Sequence, residues 1–331
     1  MSMFEAHAWL RGICLAGLLA VPVLAESLDE TREVVQESIR ELRSFDETSK
    51  ADAVKRLVAI GQPAVPALQR ALPHVSDRDA VWIVRALRQI GDPRAAFPVM
   101  DRYAHSPLDL KEEILASLAS FRVPGAIGFL TTVLLEPEAR LRRRAAAALA
   151  RLDNPGAIRG LLRSVEDEDD WVRTEAVAGL MRLSERVSPS RIADPLVRRV
   201  SDLSDGPLCD TLRVLAALGD TRIREPLRDN LRLGDEEMRC LCARALGRLA
   251  DSECATALER ALDDPSEGVR AEVVRSLVVA RGYECFRVLA RRLDVEESRS
   301  VTQVIRRSLR KFVGRDLGPR ASAWLEWERD R

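Results

Sequence analysis

The stretch Ala80-Val81-Trp82-Ile83-Val84-Arg85-Ala86-Leu87, closed by Ile90-Gly91-Asp92-Pro93, decides the fold. Ile83 and Leu87 stand four residues apart and so share one face of a helix. Gly91 suits the left-handed backbone that ends a helix, and Asp92-Pro93 suits the cap and first residue of the next. A second helix is expected from about Pro93 to Tyr103. The same phrase returns in Arg213-Val214-Leu215-Ala216-Ala217-Leu218-Gly219-Asp220-Thr221-Arg222, a copy of residues 85–94. Leu87, Leu118, Leu149 and Leu180 are each 31 apart, and Leu215, Leu246 and Leu277 resume that interval after one step of 35. Leu57 precedes the series by 30 and Leu309 follows it by 32. Four residues before these leucines stand Ala53, Ile83, Ile114, Ala145, Ala176, Thr211, Cys242 and Val273, all small or apolar, as an inward helix face requires. Such a period marks stacked units that bury their apolar faces against one another. No alternating pattern of period two appears, so no sheet is expected. The expected fold is all-α: an α-solenoid of about nine helical hairpins, the last degenerate, with capping helices at both ends.

Segments such as Val58-Ala59-Ile60-Gly61-Gln62-Pro63-Ala64-Val65-Pro66-Ala67-Leu68 and Asp170-Trp171-Val172-Arg173-Thr174-Glu175-Ala176 resemble HEAT-like repeats, including those of phycobilisome-lyase-type proteins. The resemblance runs from Lys50 to about Leu309 and implies a superhelical scaffold more than any one activity. Gly314-Arg315-Asp316-Leu317-Gly318 followed by Trp324 and Trp327 is similar to the closing segment of exported bacterial HEAT-like proteins. On that resemblance, the Trp pair at i, i+3 seals the last repeat; the alternative is an aromatic anchor for a partner.

The ends set the expected organisation. Residues 1–25 read as an export signal: Arg11, an apolar run from Gly12 to Val21, then Val23-Leu24-Ala25 as the cleavage pattern. The run is short for a span of ~20 residues, so no stable membrane span is expected after cleavage, and the mature chain would be periplasmic or secreted. Residues 26–48 are expected to form an N-terminal capping helix, with Leu28, Val35, Ile39 and Leu42 on one face. Repeats are expected over 49–183 and 207–312, separated at 184–206 by an irregular repeat, and a C-terminal cap with the Trp pair over 313–331. The four extra residues lie around 184–192 and read either as a binding-face loop or as a bend between half-stacks.

Composition excludes several classes. The net charge of +0 advertises neither nucleic acid nor membrane. Hydrophobic residues make up 46% of the chain but aromatic ones only 4%, as fits an Ala/Leu/Val-packed stack. Beyond Cys14 in the signal stand Cys209, Cys240, Cys242, Cys254 and Cys285, an odd number for an oxidising compartment. Cys209 and Cys240, and Cys254 and Cys285, occupy equivalent positions in adjacent repeats, ~10 Å apart, too far for the ~7 Å a disulfide allows. A Cys209–Cys242 bridge stays open, and buried small apolar residues are the simpler reading. Cys240-x-Cys242 splays its thiols around the helix with no neighbouring His, so no metal site is expected. His74 and His105 cannot supply the paired His-Glu motifs of the di-iron HEAT-like hydroxylases. No catalytic constellation or cofactor motif is present, so neither catalysis nor a cofactor is expected.

Charge carries the remaining signal. Lys111, Arg142, Arg173, Arg239 and Arg270 stand seven before the periodic leucines, with Asp109, Glu138, Asp170, Glu237 and Glu267 just earlier. This row is expected to tie successive repeats together at their turns. Arg191, Arg198, Arg199, Arg222, Arg224, Arg228, Arg287, Arg291 and Arg292 fall on expected second helices, which line the concave face in HEAT-like solenoids. An Arg-rich groove there could grip another protein or an acidic peptide, a phosphate or an anionic glycan; or these arginines pair with Asp194, Glu225, Asp229 and Glu284. The candidate partner-binding residues are Arg191, Arg198, Arg222, Arg228, Arg287, Arg291, Trp324 and Trp327. The expected role is an exported scaffold or adaptor that binds an envelope or extracellular protein and not nucleic acid. Its rivals are a maturation factor of the bilin-lyase kind and a purely structural envelope element.

Overall fold

Short helices alternate along the chain because each repeat carries its own start and stop. A computed structural model describes residues 30–331. The expected export signal over 1–25 lies outside the described residues, as does Leu28. The described chain divides into two compact units between Leu152 and Asp153. The 184–192 insertion lies inside the second unit.

In the first unit, α1 occupies 30–41. The hairpins α2 (Glu47–Ile60) with α3 (Val65–Ala71), α4 (Asp77–Ile90) with α5 (Ala96–Asp101) and α6 (Leu108–Phe121) with α7 (Ile127–Val133) follow, then α8 (Ala139–Arg151). The second unit begins with α9 (Ile158–Ser164). Its hairpins are α10 (Asp170–Ser184) with α11 (Ser190–Val197), α12 (Asp205–Ala217) with α13 (Arg224–Leu233), α14 (Glu236–Leu249) with α15 (Ser252–Arg260), α16 (Glu267–Arg281) with α17 (Phe286–Arg292), and α18 (Arg299–Val313) with α19 (Ala321–Arg329). No strand occurs among the described residues. The fold is an all-α solenoid.

Side-chain caps open most first helices. Asp46, Ser76, Asp169, Asp235, Ser266 and Ser298 each accept a hydrogen bond from a backbone N–H of the turn they start. Most stops share a positive φ. One or two residues past the first helix it is taken by Gly61, Gly91, Gly219, Gly282 and Gly314, and also by Arg122, Asp153 and Ala250, where the sequence has no glycine; α10 instead ends at Glu185 with a negative φ. The turn then opens the second helix. Asp92 accepts from the Arg94 N–H at 2.9 Å, and Asp220 repeats that bond with Arg222 at 2.9 Å. The copied sequence is a copied turn.

The core lies between successive first helices. Within the first unit α2 packs on α4, α4 on α6 and α6 on α8; within the second, α10, α12, α14, α16 and α18 stack in the same way. All nine periodic leucines, from Leu57 to Leu309, are 0% exposed, and so are the eight residues four before the first eight of them. Full burial of each such leucine is worth about 1.5–3 kcal/mol. Gly247 lets α14 and α16 approach closely: a Cβ there would stand 2.9 Å from the backbone of Ser276. At the N-terminal end Val35, Ile39 and Leu42 are buried, and Glu41 of α1 pairs with Arg56 of α2. At the other end α19 takes the place of a second helix and packs against α17. Trp324 is 0% exposed and donates its indole N–H to the Gly318 carbonyl at 2.8 Å.

Two substitutions in one repeat test this account. Leu246→Ala is expected to cost about 2–5 kcal/mol by opening a cavity. Ala250→Gly is expected to add up to about 1 kcal/mol, because φ is 53° there and alanine is strained in left-handed backbone. Urea unfolding monitored by circular dichroism reads both, and the two shifts should have opposite signs.

Candidate functional site

The second helices are short, seven to ten residues in the second unit, and they carry most of the arginines singled out above. Arg222 is held by Asp220 at 2.5 Å and by Asp194 of α11 at 2.9 Å. Arg224 pairs with Asp251. Arg228 reaches Glu253 of α15 at 3.2 Å and Glu225 of its own helix at 3.7 Å. Arg287 pairs with Glu328 of α19 at 2.8 Å, and Arg292 with Asp263 at 2.5 Å and Glu296 at 3.2 Å. Arg199 binds Glu166 at 2.9 Å. Most of these bonds join one second helix to the next. Arg222, Arg228 and Arg287 are thus occupied by the stack itself. Arg191, Arg198 and Arg291 are exposed, and their side chains make no ion pair among the described residues.

Trp324 does not face outward. It is buried beside Phe286 at 6.4 Å between ring centroids, so it offers no surface to a partner. Trp327 is half-buried, packing on Phe286 at 5.9 Å and under the guanidinium of Arg331. Both rings pack against Phe286 of α17, and α19 lies on α17.

A groove of about 650 Å³ runs between α13 and α15, with walls that include Glu225, Arg228, Asp229, Arg232, Arg260 and Asp263. Its charges alternate in sign. Asp263 is engaged by Arg292 and Arg228 by its two glutamates. Arg232 and Arg260 are exposed and carry no ion pair among the described residues.

The row seven before the periodic leucines does different work. Arg173 is 6% exposed; it donates to the Asp167 and Glu168 carbonyls of its own turn and to Asp210 of α12 at 2.9 Å, and also pairs with Asp170. Arg239 donates to the Gly234 carbonyl and to both oxygens of Asp264, at 2.8 and 3.1 Å. Arg270 donates to the Asp264 and Pro265 carbonyls and to both oxygens of Glu296. Arg142 donates to the Glu136 and Pro137 carbonyls. Each guanidinium gathers the turn before its own helix, and Arg173, Arg239 and Arg270 also take a carboxylate from the following repeat. Those carboxylates are Asp210, Asp264 and Glu296 respectively, so the row ties successive repeats together. Lys111 lies over the Tyr103 ring at 4.9 Å. Lys50, also seven before its leucine, is 1% exposed and binds Asp79 of α4 at 2.7 Å.

The five described cysteines are free thiols. Burial pushes the Cys242 and Cys254 thiols up to about 12, helped by neighbouring Cys209 and Asp251 respectively, and burial pushes Cys285 up to about 11. Such thiols stay protonated and are poor nucleophiles at neutral pH. Among the described residues no cluster of three or more His, Cys, Asp or Glu could hold a metal ion. No helix among them is long and apolar enough to cross a membrane.

A family model described as HEAT repeats matches residues 98–182, 127–206, 193–278 and 224–310. No curated protein matches the chain. Among solved structures, an engineered protein aligns at a TM-score of 0.45 and 19% identity over 83% of this chain and 88% of its own. Human deoxyhypusine hydroxylase, in complex with glycerol, aligns at 0.35 and 20% identity over 76% of this chain and 96% of its own.

The Arg270–Glu296 tie makes a pH prediction. Burial disfavours the Glu296 charge, but hydrogen bonds from Arg270 and the Ser298 amide, and the Arg270 charge, outweigh it, so its pKa falls below the ordinary 4.5. A lowered folded pKa contributes stability above the unfolded value and loses it as pH falls through the folded one. Glu296→Gln is therefore expected to lower Tm at neutral pH and to flatten the acid limb of the Tm–pH profile below 4.5. Parallel profiles for variant and wild type would contradict this.

Proposed function

The chain belongs to the HEAT-repeat family, and from that premise we propose that it is a protein-binding scaffold that recognises its partner on the second-helix surface of the second unit. The observation that carries this reading is the split among its arginines: most are locked between repeats, while Arg191, Arg198 and Arg291 stay exposed and unpaired among the described residues. Exposed guanidiniums on stacked helices form a pre-ordered surface, which spares the ordering cost a flexible binder must overcome. They offer planar, bidentate donors suited to carboxylates. We place the partner in the envelope or outside the cell, because residues 1–25 read as an export signal.

The test is capture from the native host's envelope fraction with residues 26–331 as bait, beside an Arg191→Glu/Arg198→Glu/Arg291→Glu variant and a first-unit control, Arg43→Glu/Arg70→Glu. A protein retained by wild type and control but lost by the variant is the expected result. Equal capture by all three would move the site off this surface.

A further inference from the structure

The unpaired arginines have a register. Fourteen residues beyond the periodic leucine stand Arg163 after Leu149, Arg260 after Leu246 and Arg291 after Leu277; Arg198 holds the same place after Leu180 once the four inserted residues are discounted. Arg163, Arg260 and Arg291 lie at the C-terminal ends of α9, α15 and α17, and Arg198 is the residue just past α11. All four are exposed, and none makes a side-chain hydrogen bond or ion pair among the described residues. In α13 the register position is Asp229, which shares the groove wall with Arg260. The first unit has Ala71, Asp101 and Thr132 there. Cations at helix C-termini offset the helix dipole, and Arg70 in α3 and Arg232 in α13 also stand in last turns, but at this one register position the arginines are confined to the second unit and interrupted once, by Asp229.

We infer that this row binds an acidic protein segment in extended, polyproline-type conformation, laid across the second helices with a carboxylate at every third residue and a basic residue opposite Asp229. Packed helices repeat at ~10 Å. A polyproline-type chain has three residues per turn at about 3.1 Å rise, so every third side chain returns to one face about 9 Å on. The two spacings match closely enough for flexible arginine side chains to take up the difference. The interruption selects against a uniform polyanion. A nucleic-acid backbone or polyphosphate lying along the row would press charge on Asp229, and the chain's net charge of +0 supplies no field to compensate. The pattern is thus acidic, acidic, basic, acidic, acidic, at intervals of three. The inference rests on the scaffold reading and adds the chemistry and spacing of what the scaffold holds.

Fluorescence anisotropy with the full chain tests it. The probe is a labelled Glu-Pro-Ala-Glu-Pro-Ala-Lys-Pro-Ala-Glu-Pro-Ala-Glu peptide, compared with a shuffled peptide whose glutamates are contiguous and with an oligothymidylate. The patterned peptide is expected to bind best, and Arg198→Ala/Arg260→Ala to weaken it roughly tenfold, at a few-fold per exposed charge pair. Asp229→Lys should reverse the preference towards a peptide with glutamate at its centre, a swap that a merely structural role of Asp229 would not produce. Equal binding of patterned and shuffled peptides, an unmoved preference in Asp229→Lys, or tighter binding of the oligothymidylate would each overturn the inference. No peptide binding, with the envelope partner still lost by the Arg191/Arg198/Arg291 variant, would overturn the register and leave the scaffold reading standing. Loss of neither partner nor peptide in those variants would remove both.

Discussion

A hairpin of two short helices cannot bury its own apolar face, and the rest of this structure follows from that constraint. Each repeat offers a periodic leucine and a small or apolar residue four before it, and both vanish from solvent only when the next first helix lies across them. Stability is therefore a sum of nearest-neighbour interfaces. Val35, Ile39 and Leu42 in and just after α1 and Trp324 of α19 are buried in the same way.

Apolar stacking is non-directional, so register needs a second device. In the second unit Arg173, Arg239 and Arg270 supply it by binding the carbonyls of one turn and a carboxylate of the next repeat. Asp264 shows the linkage at one residue: its carboxylate receives Arg239 and its carbonyl receives Arg270. The Glu296 side chain, 1% exposed, is hydrogen-bonded on both oxygens. A charge so buried is tolerated only when its partners are in place, so a misaligned repeat would strand it. The same economy operates between second helices, where Arg222 and Arg228 are absorbed into the stack.

The proposed site is what this economy leaves over. Once arginines with a partner in the next repeat are set aside, Arg163, Arg198, Arg260 and Arg291 remain exposed at the C-terminal ends of second helices in the second unit. The groove between α13 and α15 is zwitterionic, not basic, because Asp229 and Asp263 face it along with Arg232 and Arg260. A surface of this kind reads a pattern of charge, where a purely basic one would read only its amount.

The repeat period, the helix pairs, the buried leucines and the inter-repeat role of the basic row were legible in the sequence, because each is a local or strictly periodic property that a one-dimensional spacing records. Ala250 and Arg122 at the left-handed stops were not, since the residue types there give no turn signal and the geometry is imposed by neighbouring repeats. The −7 spacing could also have pointed to Lys50, and a +14 spacing to Arg163 and Arg260. What sequence could not decide is which arginine meets which carboxylate. Arg239 passes over Glu237 for Asp264, and Arg228 reaches Glu253 twenty-five residues on, because helix packing brings side chains together across repeats. Whether an arginine is paired or exposed depends on that three-dimensional neighbour, and so only the tertiary structure separates the arginines that tie the stack from those it leaves exposed.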